Sequence, residues 1–441
     1  TGMSKKIIRN FLCGIALFLG CNVIYAQDGA YNSYSPYSIF GVGDLSRQGT
    51  SYNKSMGGVG IASRNNRMIN YLNPAAVTAR DTLSFMLDFG VSGEGKMYEQ
   101  GNVKSANNIF NIYDFIFTVP IYKSSALIAG ITPYSSLGYD FSHDITDKNL
   151  IASAGNINYR SYGNGGLYQI FLGGGVTFWN KLSVGAQFLY YFGNMDKSTI
   201  MDFEKSSFRD VYSGYTLNLH SFGGKFGVQY EQSLNNGLYM TFGATYKTSS
   251  KLHGYVTDYK YTTISSVSDT LHHSIDTLSH GKATKLASEY GVGVSLRKGD
   301  KWRIEFDYLR SDWTKSNLEN ATGFSNVGES KFSTTFSQSF RAGFEIVPNR
   351  NDIRYYMRRC SYRAGAYYDR DYYKLNGNTV NSYGVTLGIT LPVFRWYNGV
   401  SLGVDLGQRG TKGNNMIRER YAMFVIGFNI HDIWFQKPKY E

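Results

Sequence analysis

The sequence predicts one large all-β domain, a 14-stranded antiparallel transmembrane β-barrel. Three observations favour this fold class: high aromatic content, frequent glycine, and an absence of strongly apolar runs. The 441 residues include 49 Gly, 37 Tyr and 28 Phe but 7 Pro, and the mean hydropathy is −0.30. Apolar residues at every second position of a barrel strand never build a hydropathy peak. This combination of many aromatic residues, many glycines, few prolines and no strongly apolar runs fits neither a helical membrane protein nor a disordered chain.

Residues 1–26 are predicted to be a secretory signal peptide, in which Thr1-Gly2 resemble an expression remnant. Three early cations precede a short apolar stretch at residues 11–24, and a small residue, Ala26, ends a plausible cleavage site. The stretch is too short for a spanning helix. Cys21 raises a lipoprotein alternative, which is less favoured because the residues before it form a poor lipobox.

Cleavage near Ala26 leaves Cys360 as the remaining cysteine of three. A disulfide framework is therefore excluded, although the compartment is oxidising. The formal net charge is +12, and a basic balance can indicate nucleic-acid binding. The Lys and Arg residues are scattered along predicted strands and turns, so we expect no nucleic-acid partner.

The segment 302–308, WRIEFDY, shows the strand pattern most clearly. Apolar and aromatic residues share one face, and Arg303, Glu305 and Asp307 share the other, because side chains alternate along a strand. A soluble sandwich also alternates, with its apolar face inward. Strand length and loop asymmetry distinguish the two folds, and both favour the membrane barrel.

Fourteen such strands are predicted between residues 81 and 435, an even number, and many are long enough to cross a bilayer at a tilt. Tight turns alternate with long polar loops, predicted at residues 94–108, 143–163, 194–208, 251–282 and 316–331. Residues 348–359 depart from this rule, because they form a long connection on the tight-turn side. Tryptophans at strand ends suit interfacial girdles, with core packing as the alternative; they are Trp179, Trp302, Trp313, Trp396 and Trp434.

An apolar outer surface leaves a polar set pointing into the lumen. Its members are Arg303, Glu305, Asp307, Arg341, Glu345, Arg363 and Asp405. A structural charge network is the favoured interpretation, because buried charges need partners. Direct substrate contact is the alternative.

Candidate catalytic and metal-binding residues do not form a convincing site. His220 and Ser221 are neighbours on one strand, so their side chains point to opposite faces. His272, His273 and His280 lie in a predicted polar loop without the spacing of a metal site. We therefore predict no enzymatic activity, no metal and no cofactor.

Several motifs resemble those of a known family. They are GGVGIA at residues 57–62, NPAA at 73–76, GATYKTSSKL at 243–252, the run 288–313, FRAGFE at 340–345 and YRAGAYY at 362–368. In this order they are similar to the FadL-like outer-membrane transport proteins, and they cover most of residues 56–393. SPYSIFGVGD, at residues 35–44, looks like the Bacteroidetes version of that family.

The resemblance implies an N-terminal hatch at residues 27–80 inside a barrel at residues 81–441. The hatch residues it implies are Gly57, Gly58, Gly60, Asn73, Pro74 and Ala75. A nucleotide-binding loop is the alternative for the glycines, but it needs a βαβ unit that the sequence lacks. The implied function is passive diffusion of hydrophobic small molecules through a barrel of the Gram-negative outer membrane. The implied partners are outer-membrane lipid and a hydrophobic ligand, or detergent, in the lumen.

Family members release ligand sideways through a kinked third strand, and Gly130 and Pro133 lie in that strand here. A proline removes a ladder hydrogen bond, so these residues indicate either a lateral opening or a closed bulge. A competing function is protein docking. FadL-like barrels also act with other envelope proteins, as shuttles in type 9 secretion or as accessories of barrel assembly.

Overall fold

The computed structural model describes residues 33–80, 84–122, 124–205, 207–264, 267–278, 283–324, 330–393, 398–414 and 416–433. The predicted signal peptide lies outside these residues, as do Trp396, Trp434 and His280. The predicted start of the first strand, at residues 81–83, also lies outside them.

Fourteen antiparallel strands of the described residues form the barrel wall. They are β1 Ser84–Gln100, β2 Val103–Tyr122, β3 Ser125–Asp144, β4 Ile157–Phe178, β5 Leu182–Phe203, β6 Asp210–Ser233, β7 Leu238–Lys247, β8 Ser288–Lys298, β9 Trp302–Asp312, β10 Phe336–Ile346, β11 Ser361–Leu375, β12 Asn378–Pro392, β13 Gly399–Arg409 and β14 Arg418–Ile433. Each strand pairs with the next, and β1 closes the sheet on β14, with Ser84 opposite Ile433. The predicted closed 14-stranded barrel is confirmed.

The two faces of β9 show which way the wall is oriented. Phe306 is 55% exposed, whereas Glu305 is 0% and Arg303 7% exposed. The apolar side chain points outward and its charged neighbours point inward. This is the reverse of a soluble sandwich and matches a barrel in lipid.

Several predicted loops are wrong because the strands continue into them. β1 and β2 are joined by a turn of two residues rather than by a loop at 94–108. The predicted loop at 251–282 contains the strands Ser250–Lys251, His253–Ile264 and Val267–Thr277. Polar residues form these extensions, because ladder hydrogen bonds need backbone groups and not apolar side chains.

Four short strands and six short helices complete the described structure. The strand Lys285–Leu286 pairs with Ser250–Lys251, and Phe332–Thr334 pairs with β11. Asp44–Leu45 pairs with β3. The α-helices are α1 Ser51–Lys54, α2 Lys148–Ala154 and α3 Tyr356–Arg359, and the 3₁₀ helices are Pro36–Ile39, Pro74–Thr78 and Asn235–Gly237. Within the described ranges, no helix has the length and apolar character needed to cross a membrane.

The ends of the barrel differ in their connections. One end, the tight-turn end, carries the short turns after β2, β4, β6 and β8 and also residues 348–359. The other, the loop end, carries α2 and the hairpin of His253–Ile264 and Val267–Thr277. Trp179 is 83% exposed in a tight turn, whereas Trp313 is 1% exposed and packs 4.5 Å from the ring of Tyr372. Core packing is therefore the correct interpretation for Trp313.

The core of the barrel includes the N-terminal segment. Hatch residues such as Ile39, Val42 and Tyr71 share one buried apolar cluster with the wall residues Leu137 and Phe171. Residues 33–80, the described part of the predicted hatch, thus lie against the inward face of the wall, and we refer to them as the hatch.

Candidate functional site

The hatch glycines lie where its backbone touches the wall. Gly57 has a φ of +71°, and a Cβ there would lie 2.5 Å from the carbonyl oxygen of Ala342. Its N–H donates to Oγ1 of Thr386 at 2.7 Å. The carbonyl of Gly58 accepts from Nη1 of Arg341 at 2.9 Å. Only glycine combines this backbone conformation with so close an approach at residue 57.

The wall provides glycines opposite the hatch. A Cβ at Gly365 would overlap the backbone nitrogen of Gly57, and one at Gly243 would overlap the carbonyl of Ile61. Side chains on β11 and β7 would therefore push the hatch away from the wall. Much of the glycine content of the chain serves this contact, which needs close approach of two backbones.

Asn73 fixes the point at which the hatch turns toward the first strand. Its Oδ1 accepts from the N–H of Ala75 at 3.0 Å, which caps the 3₁₀ helix Pro74–Thr78. Its Nδ2 donates to the carbonyl of Ile61 at 2.8 Å and to that of Val228 at 3.2 Å. One side chain therefore joins two parts of the hatch and strand β6.

The charged face of β9 binds the hatch directly. Oδ2 of Asp307 accepts from the N–H groups of Gly60 at 2.6 Å and Ile61 at 2.9 Å. Nη1 of Arg303 donates to the hydroxyl of Tyr52 at 2.5 Å, and Nε lies 3.5 Å from Oε1 of Glu305. These side chains are 0–7% exposed, so their partners lie inside the protein.

The other predicted lumen residues belong to the same arrangement. Nε of Arg363 donates to Oε1 of Glu345 at 3.2 Å, and its guanidinium lies 4.7 Å from the ring centroid of Tyr52. Asp405 accepts from Nη1 of hatch residue Arg47 and from the hydroxyl of Tyr367 at 2.7 Å. All seven predicted lumen residues therefore contact the hatch or one another.

A cavity of about 800 Å³ lies between the hatch and the loop-end half of the wall. Its lining is mixed: charged side chains such as Lys54 and Glu289 alternate with Tyr71 and Phe171. Burial lowers the pKa of Lys54 to about 8, and its ammonium lies 4.9 Å from the ring centroid of Tyr113.

The wall parts beside this cavity. β2 and β3 pair from their tight-turn end up to Phe115 and Ile131, and no described pairing joins them beyond these residues. β2 continues along β1, and β3 continues along β4 as far as Asp144. We call the resulting opening the notch. Phe110 and Ile112 lie on its β2 side, are 71% and 59% exposed, and also line the cavity.

The two residues predicted for a lateral gate lie at the notch. Gly130 is opposite Ile116, next to the last paired residue, and Pro133 follows that residue by two positions. The register of β3 against β4 shifts between Pro133 and Ser135. On the free edge of β3, the hatch strand Asp44–Leu45 pairs with two residues.

Comparison with protein families identifies the chain. A family model named BamG matches residues 3–441. The chain belongs to the BamG family. A search of curated proteins finds no match to it.

Solved structures show that this BamG-family chain shares its fold with several barrels. The CymD monoaromatic hydrocarbon channel is similar with a TM-score of 0.56 and 14% identity, over 90% of this chain and 98% of that one. The Ralstonia pickettii toluene transporter TbuX has a TM-score of 0.55 and 14% identity, with 87% and 98% covered. A Pseudomonas aeruginosa FadL homologue has a TM-score of 0.56 and 9% identity, with 90% and 100% covered. At these identities the likeness shows the fold alone.

Sequence reasoning missed several contacts of the BamG-family hatch. Nη1 of Arg409 donates to Oδ1 of Asp44 at 2.8 Å, and Arg47 lies 3.6 Å from the ring centroid of Tyr367. One sequence signal could have predicted these contacts. Asp405 and Arg409 share the lumen face of their strand, and the hatch carries the complementary charges Arg47 and Asp44.

Two histidines of the predicted polar loop, His272 and His273, lie on a hairpin instead. His272 and His273 are on the strand Val267–Thr277, and Nε2 of His272 lies 3.8 Å from Asp258. Within the described ranges, no three His, Cys, Asp or Glu side chains are grouped to hold a metal ion. On β6, His220 points outward, and Ser221 points inward and donates to the carbonyl of Lys251 at 2.7 Å.

Proposed function

We propose that this chain is an outer-membrane channel through which hydrophobic small molecules, fatty-acid-like or aromatic, diffuse without catalysis or cofactor. The observation that carries this proposal is the notch, which joins an internal cavity to the apolar outer surface of the wall. The solved barrels of this fold include a monoaromatic hydrocarbon channel and a toluene transporter by name. A hydrophobic solute that leaves sideways enters lipid and avoids the aqueous space.

The composition of the cavity suggests how a solute is oriented. Apolar Phe110 and Ile112 line the notch side, whereas Lys54 of the hatch and Arg341 of β10 place positive charges elsewhere in the lining. A molecule with one polar end would place that end toward the charges and its apolar part toward the notch. The strand Asp44–Leu45 has to move for full opening, and it is paired over two residues only.

The test restores a backbone donor at the notch. Pro133→Val supplies an N–H just beyond the last β2–β3 pair, so the ladder can extend and narrow the opening. We expect reduced uptake of labelled toluene and of a labelled fatty acid by intact cells. Pro120→Val makes the same chemical change within the paired part of β2 and serves as the control. Unchanged uptake in the Pro133 variant at equal surface expression would contradict the lateral route.

Protein docking is a second candidate function, and the hairpin at the loop end favours it. The strand Val267–Thr277 pairs along one side with His253–Ile264. Val267, Leu271 and Ile275 on it are 57–61% exposed. A strand edge with exposed apolar side chains can pair with a strand of another protein. The partner in this proposal is another envelope protein, in type 9 secretion or in barrel assembly.

Mild detergent extraction followed by native mass spectrometry separates the two functions. Lipid-like molecules bound in the lumen favour the channel, and a stoichiometric barrel or lipoprotein partner favours docking. The location proposed for either function is the Gram-negative outer membrane, in a Bacteroidetes-type member with a signal peptide cleaved near Ala26. N-terminal sequencing of the membrane fraction tests the cleavage.

A further inference from the structure

Residues 348–359 form a folded connection at the tight-turn end, which we call the arginine knob. It joins β10 to β11, whereas the turns after β4 and β8 at the same end have three residues each. Its sequence, PNRNDIRYYMRR, contains four arginines and one aspartate. Neither the channel nor the docking function proposed above uses this element.

Internal hydrogen bonds hold the arginine knob in one conformation. Oδ1 of Asp352 accepts from the N–H groups of Arg354 at 2.9 Å and Tyr355 at 2.8 Å. The N–H of Asn349 donates to the carbonyl of Arg358 at 2.8 Å, which joins the two ends of the knob. Its exposed side chains are therefore presented by a fixed backbone, at little entropic cost to a ligand.

The part of the arginine knob around Tyr356 and Met357 lies on the outer side of the wall, whereas Arg350 and Arg359 line a small pocket on the lumen side with Glu345. The hydroxyl of Tyr362 donates to the carbonyl of Met357 at 3.0 Å. Tyr362 belongs to the outward face of β11, because it alternates with lumen-facing Arg363 and shares a face with Tyr368, which is 43% exposed. The hydroxyl of Tyr356 donates to the carbonyl of Pro392 at the end of β12. This part of the knob is thus continuous with the surface that faces lipid.

Apolar and cationic groups alternate on the exposed surface of the knob. Ile353 is 94% exposed and Met357 55% exposed. The guanidinium groups of Arg354 and Arg358 lie 5.3 and 4.8 Å from the ring centroid of Tyr355. Aromatic, apolar and basic side chains together are typical of a segment lying in the headgroup region of a bilayer.

We propose that the arginine knob binds an anionic phospholipid of the membrane leaflet next to the tight-turn end. Arg354 and Arg358 bind the headgroup phosphate, which a guanidinium matches with two parallel N–H donors. Nη1 of Arg358 also lies 3.4 Å from Oδ2 of Asp352, and the Arg358 side chain is 59% exposed. Ile353 and Met357 insert at the boundary with the acyl chains. The proposal rests on the membrane location proposed above, but not on passage through the notch.

Charge and position together select this ligand. A positive surface beside the wall attracts anionic headgroups within a Debye length. An acidic soluble partner would also be attracted by the arginines. Binding of such a partner does not explain why the apolar side chain of Ile353 is exposed beside the lipid-facing wall. The phosphate could also come from a free anion, so the experiment separates the two sources.

The test compares lipid retention by purified full-length protein. The protein is reconstituted in nanodiscs of phosphatidylethanolamine with phosphatidylglycerol, re-extracted in mild detergent and analysed by native mass spectrometry. We expect the double variant Arg354→Gln/Arg358→Gln to weaken the apparent affinity for phosphatidylglycerol about tenfold or more. The matched control, Lys148→Gln/Arg209→Gln, removes two charges at the loop end and should retain lipid like the parent protein.

The proposal would be overturned by equal retention in the knob variant and the parent, by equal loss in the control, or by full displacement of the lipid by inorganic phosphate. Loss of an acidic protein rather than of lipid from extracts of the variant would also overturn it. Arg354→Lys/Arg358→Lys keeps the charge and should recover part of the binding, which separates a binding loss from misfolding. Ile353→Ser should weaken retention with the arginines intact. Uptake through the notch should be unchanged in all knob variants, so failure of the channel proposal is visible separately.

Discussion

Asp307→Ala should release the hatch without unfolding the barrel. The side chain accepts two buried hatch N–H groups, at 2.6 and 2.9 Å. A buried donor left unsatisfied costs about 1–3 kcal/mol, so two cost about 2–6 kcal/mol. A value of about 3 kcal/mol raises the population of the locally opened hatch about a hundredfold, because 1.4 kcal/mol corresponds to a factor of ten.

Hydrogen–deuterium exchange with mass spectrometry measures this opening in peptides covering residues 56–63. Exchange there should be about a hundredfold faster in the variant, whereas the wall strands should be unchanged. Asp312→Ala is the matched control, because Asp312 ends the same strand and accepts from the N–H of Thr314 at 3.1 Å, away from the hatch. Unchanged exchange in residues 56–63 would refute the reasoning, and so would an equal increase across the wall.

Three further predictions concern the wall and the arginine knob. Gly365→Val should expose the hatch to limited proteolysis, because its Cβ overlaps hatch backbone. Gly413→Ala should not, because its Cβ would lie no closer than 3.9 Å to another residue. Phe306→Arg should destabilise the barrel by about 2–4 kcal/mol in bilayer refolding assays, because a charge then faces lipid near mid-strand. Val103→Arg, at a strand end, should cost far less. Equal losses of stability in the two variants would contradict the outward orientation of Phe306. Hydrogen bonds from backbone N–H groups hold the pKa of Asp352 below its usual 3.8, so its stabilisation of the knob is complete above that pH and is lost as the pH falls below it. Amide exchange of the knob measured between pH 5 and 2 checks this, and an Asp352→Asn protein should show no such transition.

The sequence predicts the wall well because alternation is a local signal. Arg303, Glu305 and Asp307 alternate with apolar residues, and this pattern alone identifies the lumen face. Strand ends are less predictable. Above the lipid both faces of a strand are wet, so the sequence of the hairpin His253–Ile264 and Val267–Thr277 loses its apolar alternation although its ladder continues.

Hatch contacts depend on pairings between distant residues, which no local pattern contains. Arg47 binds Asp405, 358 positions away, and Gly57 binds Thr386, 329 positions away. Glycine content indicates close packing somewhere, but only the closed barrel brings Gly365 against the hatch backbone. The notch was indicated by Pro133, whereas its bounds follow from where β2 and β3 stop pairing.

The contacts between the hatch and the last strands constrain the order of assembly. The hydroxyl of Ser35 donates to Oε1 of Glu419 on β14 at 2.5 Å, and these residues are 384 positions apart. A ribosome makes the hatch first and its partners on β11 to β14 last. The hatch therefore cannot reach its final position until the C-terminal quarter of the chain is in the membrane, and closing such long loops is slow. The strands that close the barrel are also those that bind the hatch. Barrel closure and placement of the hatch therefore occur together, late in folding.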